Sequence, residues 1–207
     1  MSYQPILFYP MVFHIMDIPN FNKIQRGLVD YIYQQRRKDP GGEKVSNQGG
    51  WQSKHYEGEN IVVTAMKEAI SSYFYSNKIL KEGVSLDCQG IWSNINKKGN
   101  TNHKHCHPDS DFAGVMWIKT PPNCGDLEFE NLNSFIQYRE ISCYHKEFQD
   151  KHKCYTYSFL TPAEGKIVIF PSCVEHLVHE NKSNQDRISV AFNLKLVYDN
   201  AILEGYR

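Results

Sequence analysis

Apolar and polar positions alternate with one period in the first part of the chain and another in the second, and the change predicts its architecture. The stretch ILFYPMVFHI alternates β-branched and aromatic residues around a proline and predicts a strand, closed by a turn at DIPN. Phe21, Ile24, Leu28, Tyr31 and Ile32 then recur at three- and four-residue spacing, which places them on one face of a helix. Asn20 stands where an N-cap belongs, and RRKDPGG ends the segment with positive charge, proline and glycine. Beyond a loop at SNQGGWQS, residues 60–80 repeat the helical pattern through Ile61, Ala65, Met66, Ala69, Ile70 and Tyr73.

From Val84 onward the period shortens. SLDCQGIWSNIN, FAGVMWIKT, DLEFEN, CYTYSFLT, KIVIFPS, LVHEN and RISVAFNLKLV read as short strands separated by turns such as KKGN, PPNCG and PAEGK. Such a succession predicts an antiparallel sandwich or barrel, so the fold class is mainly β within an α+β chain. A chain of 207 residues buries enough surface for one core. We read one domain over 1–207, with an N-terminal strand and helices in 1–83 and the β core in 84–200.

Charge and cysteine usage narrow the partners. Lys plus Arg and Asp plus Glu both number 23, so no net charge draws the chain to nucleic acid or to an anionic membrane, and neither partner is expected. The six cysteines form no CxxC pair, the first residues lack a secretion signal, and no apolar run is long enough to span a bilayer. These features point to reduced thiols in a cytoplasm.

The chemistry concentrates in TNHKHCHPDSDF, residues 101–112, which holds three of the nine histidines and two aspartates. Imidazole is the commonest metal ligand near neutral pH, and residues two apart on a strand face one way. His105 with His107 therefore forms one two-pronged clip, and His107 with Asp109 another. A third arm from a distant strand would complete one face of an octahedron and leave the opposite face free, the arrangement of non-haem Fe(II) oxygenases. GKIVIFPSCVEHLVHENKSNQDRISVAFN offers that arm: a buried-looking strand, a turn, His176, and then Arg187 and Ser189 eleven and thirteen residues on. A structural zinc would instead require four closed ligands, usually including thiolates. Upstream, Asn94 and Asn96 face one way on a strand behind Trp92, placed either to contact cofactor or substrate or to bond within the core.

Together these segments resemble the 2-oxoglutarate- and Fe(II)-dependent oxygenases, and within them an oxygenase family of phages and marine bacteria that carries HxHPxSxxSGVYY and FPSWLEH…RISISFN segments. Here those read HCHPDSDFAGVMW and FPSCVEH…RISVAFN, SNQGGWQS and WSNIN are also similar, and the matching blocks cover most of residues 46–195. The resemblance implies a double-stranded β-helix, a jelly roll of cupin type, with Fe(II) at its open mouth and 2-oxoglutarate as co-substrate. It implies iron ligation by His107 and His176, with His105 as third ligand and Asp109 as its rival through the HxD reading of His107-Pro108-Asp109. Arg187 and Ser189 match an RxS pair that grips the distal carboxylate of 2-oxoglutarate. Ala113 in place of serine, and Met116 with Trp117 in place of a tyrosine pair, depart from the family pattern in the pocket lining.

The activity so implied couples oxidative decarboxylation of 2-oxoglutarate by molecular oxygen to hydroxylation of a small-molecule or peptide substrate, with a peptidyl residue such as proline preferred through kinship with prolyl hydroxylases. A phage-encoded chain would act in the host cytoplasm, and a homodimer is the commonest assembly for such a chain. Two other readings use the same residues: a cupin-like metal enzyme that needs no 2-oxoglutarate, and a non-catalytic jelly-roll binding module. His55, His103, His145, His152 and His179 read as solvated or structural, and Cys106 as facing away from its two histidine neighbours with no base to activate it. The stretch 131–157, rich in aromatic and charged residues, reads as a lid or binding loop.

Overall fold

The computed structural model describes residues 11–133 and 144–199. β1 (His14–Asp17) leads into α1 (Phe21–Lys38), and β2 (Asn47–Gln48) and β3 (Trp51–Gln52) precede α2 (Ile61–Ser76). Then follow β4 (Val84–Asn96), β5 (Thr101–His105), β6 (Phe112–Lys119), β7 (Leu127–Glu130), α3 (Lys146–His152), β8 (Tyr157–Leu160), β9 (Lys166–Pro171), β10 (His176–Val178) and β11 (Arg187–Tyr198). Two antiparallel sheets result, a six-stranded one in the order β1-β9-β6-β11-β4-β3 and a five-stranded one in the order β2-β5-β10-β7-β8. From β4 to β11 the chain passes back and forth between them, with only β7 and β8 consecutive in one sheet. That is the winding of a jelly roll, in which two sheets cover each other and leave the chain ends of their strands as a mouth.

Period-two alternation decides what each face carries. In β11, Ile188, Val190, Phe192 and Leu194 pack beneath the helices with Leu28, Ile32, Val62 and Met66. Arg187, Ser189 and Ala191 take the opposite face, toward the second sheet, and line a cavity there. A smaller apolar cluster of Trp117, Leu127, Phe129, Phe170 and Val174 closes the space between the sheets. α1 and α2 therefore serve the site indirectly, by packing against the back of the six-stranded sheet.

Local expectations hold for both amphipathic helices and need correction at several edges. The strand expected over ILFYPMVFHI falls partly outside the described residues, and the strand found is His14–Asp17, whose extent is set by its ladder with Lys166–Ile169 of β9. Asn20 occupies the position before α1 but has φ 54° and makes no side-chain cap bond. The better cap is Asn60, whose Oδ1 accepts from the backbone N–H groups of Val62 and Val63 at the start of α2. SNQGGWQS is not a plain loop: its ends form β2 and β3, edge strands of different sheets. Gly49, at φ 71°, makes the crossing, and a Cβ there would stand 2.4 Å from the Asn100 amide. No helix among the described residues is long and apolar enough to cross a membrane.

Candidate metal centre

His105 closes β5 and lies directly opposite His176, the first residue of β10. The next matched pair is Asn102 with Val178, so His103 and Lys104 together stand opposite Leu177 alone. This is a β-bulge, which re-aims side chains near sites of function. It brings Asn102 and His105, three residues apart, to line the same cavity. His107 reaches the cavity by another route. It lies beyond the end of β5, where Pro108 has no N–H to continue a ladder, and its own N–H donates to the Ser172 carbonyl at 2.9 Å. The two-apart strand argument pairs His105 with His107, and the structure brings the two together through a bulge and a turn rather than through strand alternation.

The ring centroids of His105 and His176 are 4.4 Å apart, those of His105 and His107 5.1 Å, and those of His107 and His176 5.3 Å. One nitrogen from each lies within 4.8 Å of the others, close enough to hold one metal ion. Backbone carbonyls set the tautomers. A carbonyl only accepts, so His105 Nδ1 donates to the His103 carbonyl at 2.6 Å and His176 Nδ1 donates to the Val174 carbonyl at 2.9 Å. Nε2 of each ring is left with its lone pair, as ligation requires. Burial, together with the other imidazoles, depresses all three rings: His176 falls to about 3, His107 to about 4, and His105 is also lowered. Three neutral donors at neutral pH suit a divalent transition metal and no thiolate joins them, which fits Fe(II) better than a closed structural zinc site. Asp109 is exposed and is not part of the cluster.

Arg187 opens β11 on the same cavity, 2 % exposed. Its Nη1 donates to the carbonyls of Cys124 at 3.0 Å and Gly125 at 3.4 Å, and burial lowers its pKa to about 10. Among the described residues no carboxylate pairs with it. A buried cation without a counter-ion is costly, so an anion in the cavity would relieve it. Ser189 lines the cavity two residues on, and Asn94, its partner across the β4–β11 ladder, lines it too with a buried Oδ1 that has no protein donor. Asn96 lies behind the lining, its amide donating to Asn102 Oδ1 at 3.2 Å. Asn102 and Ser46 also face the cavity and were not anticipated; only the bulge puts Asn102 there, and nothing in its residue type announces it.

Comparison with known proteins agrees with this geometry. The family model described as "Putative 2OG-Fe(II) oxygenase" matches residues 90–193, half of the chain, and spans all three histidines and Arg187. No curated protein matches the chain in sequence. Among solved structures, a Pseudomonas putida prolyl-4-hydroxylase superposes with TM-score 0.59 at 14% identity, covering 89% of this chain and 92% of that one. The carbocyclase SnoK of nogalamycin biosynthesis, a non-heme alpha ketoglutarate dependent enzyme, gives TM-score 0.63 at 9% identity over 95% of this chain and 85% of its own. A Trichoplax adhaerens prolyl hydroxylase, solved with a peptide fragment of the hypoxia inducible factor oxygen degradation domain, gives 0.60 at 10% identity over 94% and 86%. At such identities the likeness is one of fold, and the family assignment rests on the sequence match. The chain belongs to the 2-oxoglutarate- and Fe(II)-dependent oxygenases.

Proposed function

We propose that His105, His107 and His176 are the iron ligands, that Arg187 and Ser189 bind the distal carboxylate of 2-oxoglutarate, and that the enzyme hydroxylates a peptidyl residue, proline being the first to try. The observation that carries this reading is the buried Arg187 guanidinium, without a carboxylate partner among the described residues, on the cavity lined by the three histidines. A cupin-like enzyme indifferent to 2-oxoglutarate would leave that desolvated charge with nothing to do.

Iron and 2-oxoglutarate, when bound, supply the oxidising chemistry, with succinate and carbon dioxide as by-products. The chain's own part is binding and exclusion. The planar guanidinium presents paired N–H donors that match a carboxylate, a geometry lysine lacks. Ser189 adds a hydroxyl from the same strand face, and Asn94 offers a carboxamide beside it. Asn96 acts on the cavity through the bond it makes to Asn102. Leu127, Val115, Trp117 and Phe170 line the remaining wall and keep water from the reacting groups. A peptidyl substrate is supported by likeness to prolyl hydroxylases, one of them solved with a peptide fragment.

Two measurements test the reading. In Co(II)-loaded protein, Arg187→Met should weaken 2-oxoglutarate binding roughly 10- to 100-fold by calorimetry, the loss of charge-assisted hydrogen bonds, with Arg187→Lys in between; unchanged affinity would remove Arg187 from the co-substrate site. Proline-containing peptide pools should release succinate together with a peptide mass gain of one oxygen atom. Turnover seen only with small metabolites would overturn the peptidyl substrate and leave the oxygenase standing.

A further inference from the structure

The bulge that turns His105 into the cavity is a break in the ladder, because the extra residue is left unpaired and the hydrogen bonding is locally disrupted there. Lys104 sits within it, and its side chain points to the opposite face from His105. On that face its Nζ lies 2.8 Å from Glu130 Oε2 and 3.1 Å from Glu175 Oε2. Each partner neighbours a residue of the site: Glu175 precedes His176, and Glu130 follows Phe129, which faces His176 across the β10–β7 ladder. The Glu130 backbone N–H also donates to the Glu175 carbonyl at 2.9 Å, so the main chains that carry the two carboxylates are joined independently of the lysine. One cation thus ties β5 at its bulge to the turn before β10 and to the end of β7.

We propose that Lys104 is a positioning residue for the metal centre: its ion pairs with Glu130 and Glu175 pin the β5 bulge and so fix the aim of His105 Nε2 toward His107 and His176. The inference rests on the three histidines being the metal site. Because Lys104 is half exposed and touches no ligand ring, it acts by restricting the strand. The effect is that of two ion pairs made by a half-exposed lysine, modest in size and sensitive to salt.

Co(II) titration, followed by the visible bands of the bound ion, reads the effect without turnover. Lys104→Met should bind Co(II) roughly fivefold more weakly than wild type at low salt, while the thermal midpoint of the metal-free protein stays within about 2 °C. Lys104→Arg should restore the affinity, and the gap between wild type and Lys104→Met should close in about 1 M NaCl. Equal Co(II) affinity in wild type and Lys104→Met at low salt overturns the proposal. So does an affinity loss that tracks a fall in the metal-free midpoint and that arginine does not repair, since that would mark Lys104 as part of general stability. His176→Ala in the same titration keeps the parent reading separate: wild type binding no better than His176→Ala would sink the metal site itself, whatever Lys104 does.

Discussion

His176 is 4 % exposed, and its Nδ1–H is committed to the Val174 carbonyl, so its ring is neutral and oriented before any metal arrives. This has a consequence for the metal-free protein. A histidine depressed in the folded state stays unprotonated there while the unfolded chain takes up a proton, so its contribution to stability is intact above about pH 6.5 and is lost as pH falls from there. With His107 at about 4 and His176 at about 3, the loss should run from pH 6.5 down through that range. Urea midpoints of metal-free protein at a series of pH values should therefore fall over this window, less steeply in His176→Gln; parallel curves would show that the ring is not held neutral. The rival ligand is tested at the same scale. Asp109→Ala should leave Co(II) affinity within about twofold, while His105→Ala should lose most of it, because second ligands cannot be replaced by an exposed carboxylate outside the cluster. The opposite pattern would restore the HxD set. At this scale the sequence is most informative: imidazole, guanidinium and hydroxyl carry their chemistry in the residue type, whereas Asn102 and Ser46 are ordinary polar residues that become cavity walls only through the chain's path.

Elements impose the geometry that residue types leave open. Two helices and most strands are legible because long apolar periodicities of 3.6 or two residues are physically demanding. The β5 bulge is not, since a bulge at His103 and Lys104 has no compositional mark, and β2 and β3 are too short to show a period. The turn between β6 and β7 has a comparable hidden role. Gly125 has φ 89°, its carbonyl receives the Arg187 guanidinium, and a Cβ there would meet the His179 carbonyl oxygen at 2.2 Å. Gly125→Ala should cost about 1–3 kcal/mol in urea unfolding, from the left-handed backbone and the clash. It should weaken 2-oxoglutarate binding as well, because the carbonyls that orient Arg187 must move. Loss of stability with co-substrate affinity unchanged would show that the turn does not position the guanidinium.

Across the whole molecule, histidines from β5 and β10 in one sheet meet an arginine from β11 in the other, so the cavity exists only when the two sheets face each other correctly. That assembly was legible as a class from the succession of short strands. Its edges were not, because β1, β2 and β3 come from the first part of the chain yet pair with β9, β5 and β4. Such non-local pairings depend on partners far away in sequence, which no local pattern records. The site is therefore a product of the complete fold, and it is best tested with all its parts present. Anaerobic addition of Fe(II) and then 2-oxoglutarate to the full chain, followed by visible absorption, does this most directly. The account predicts that the weak charge-transfer band of an Fe(II)–2-oxoglutarate chelate appears in wild type, is absent in His176→Ala, and needs a much higher 2-oxoglutarate concentration in Arg187→Met. Folded wild type that binds iron but shows no band at saturating 2-oxoglutarate would contradict it.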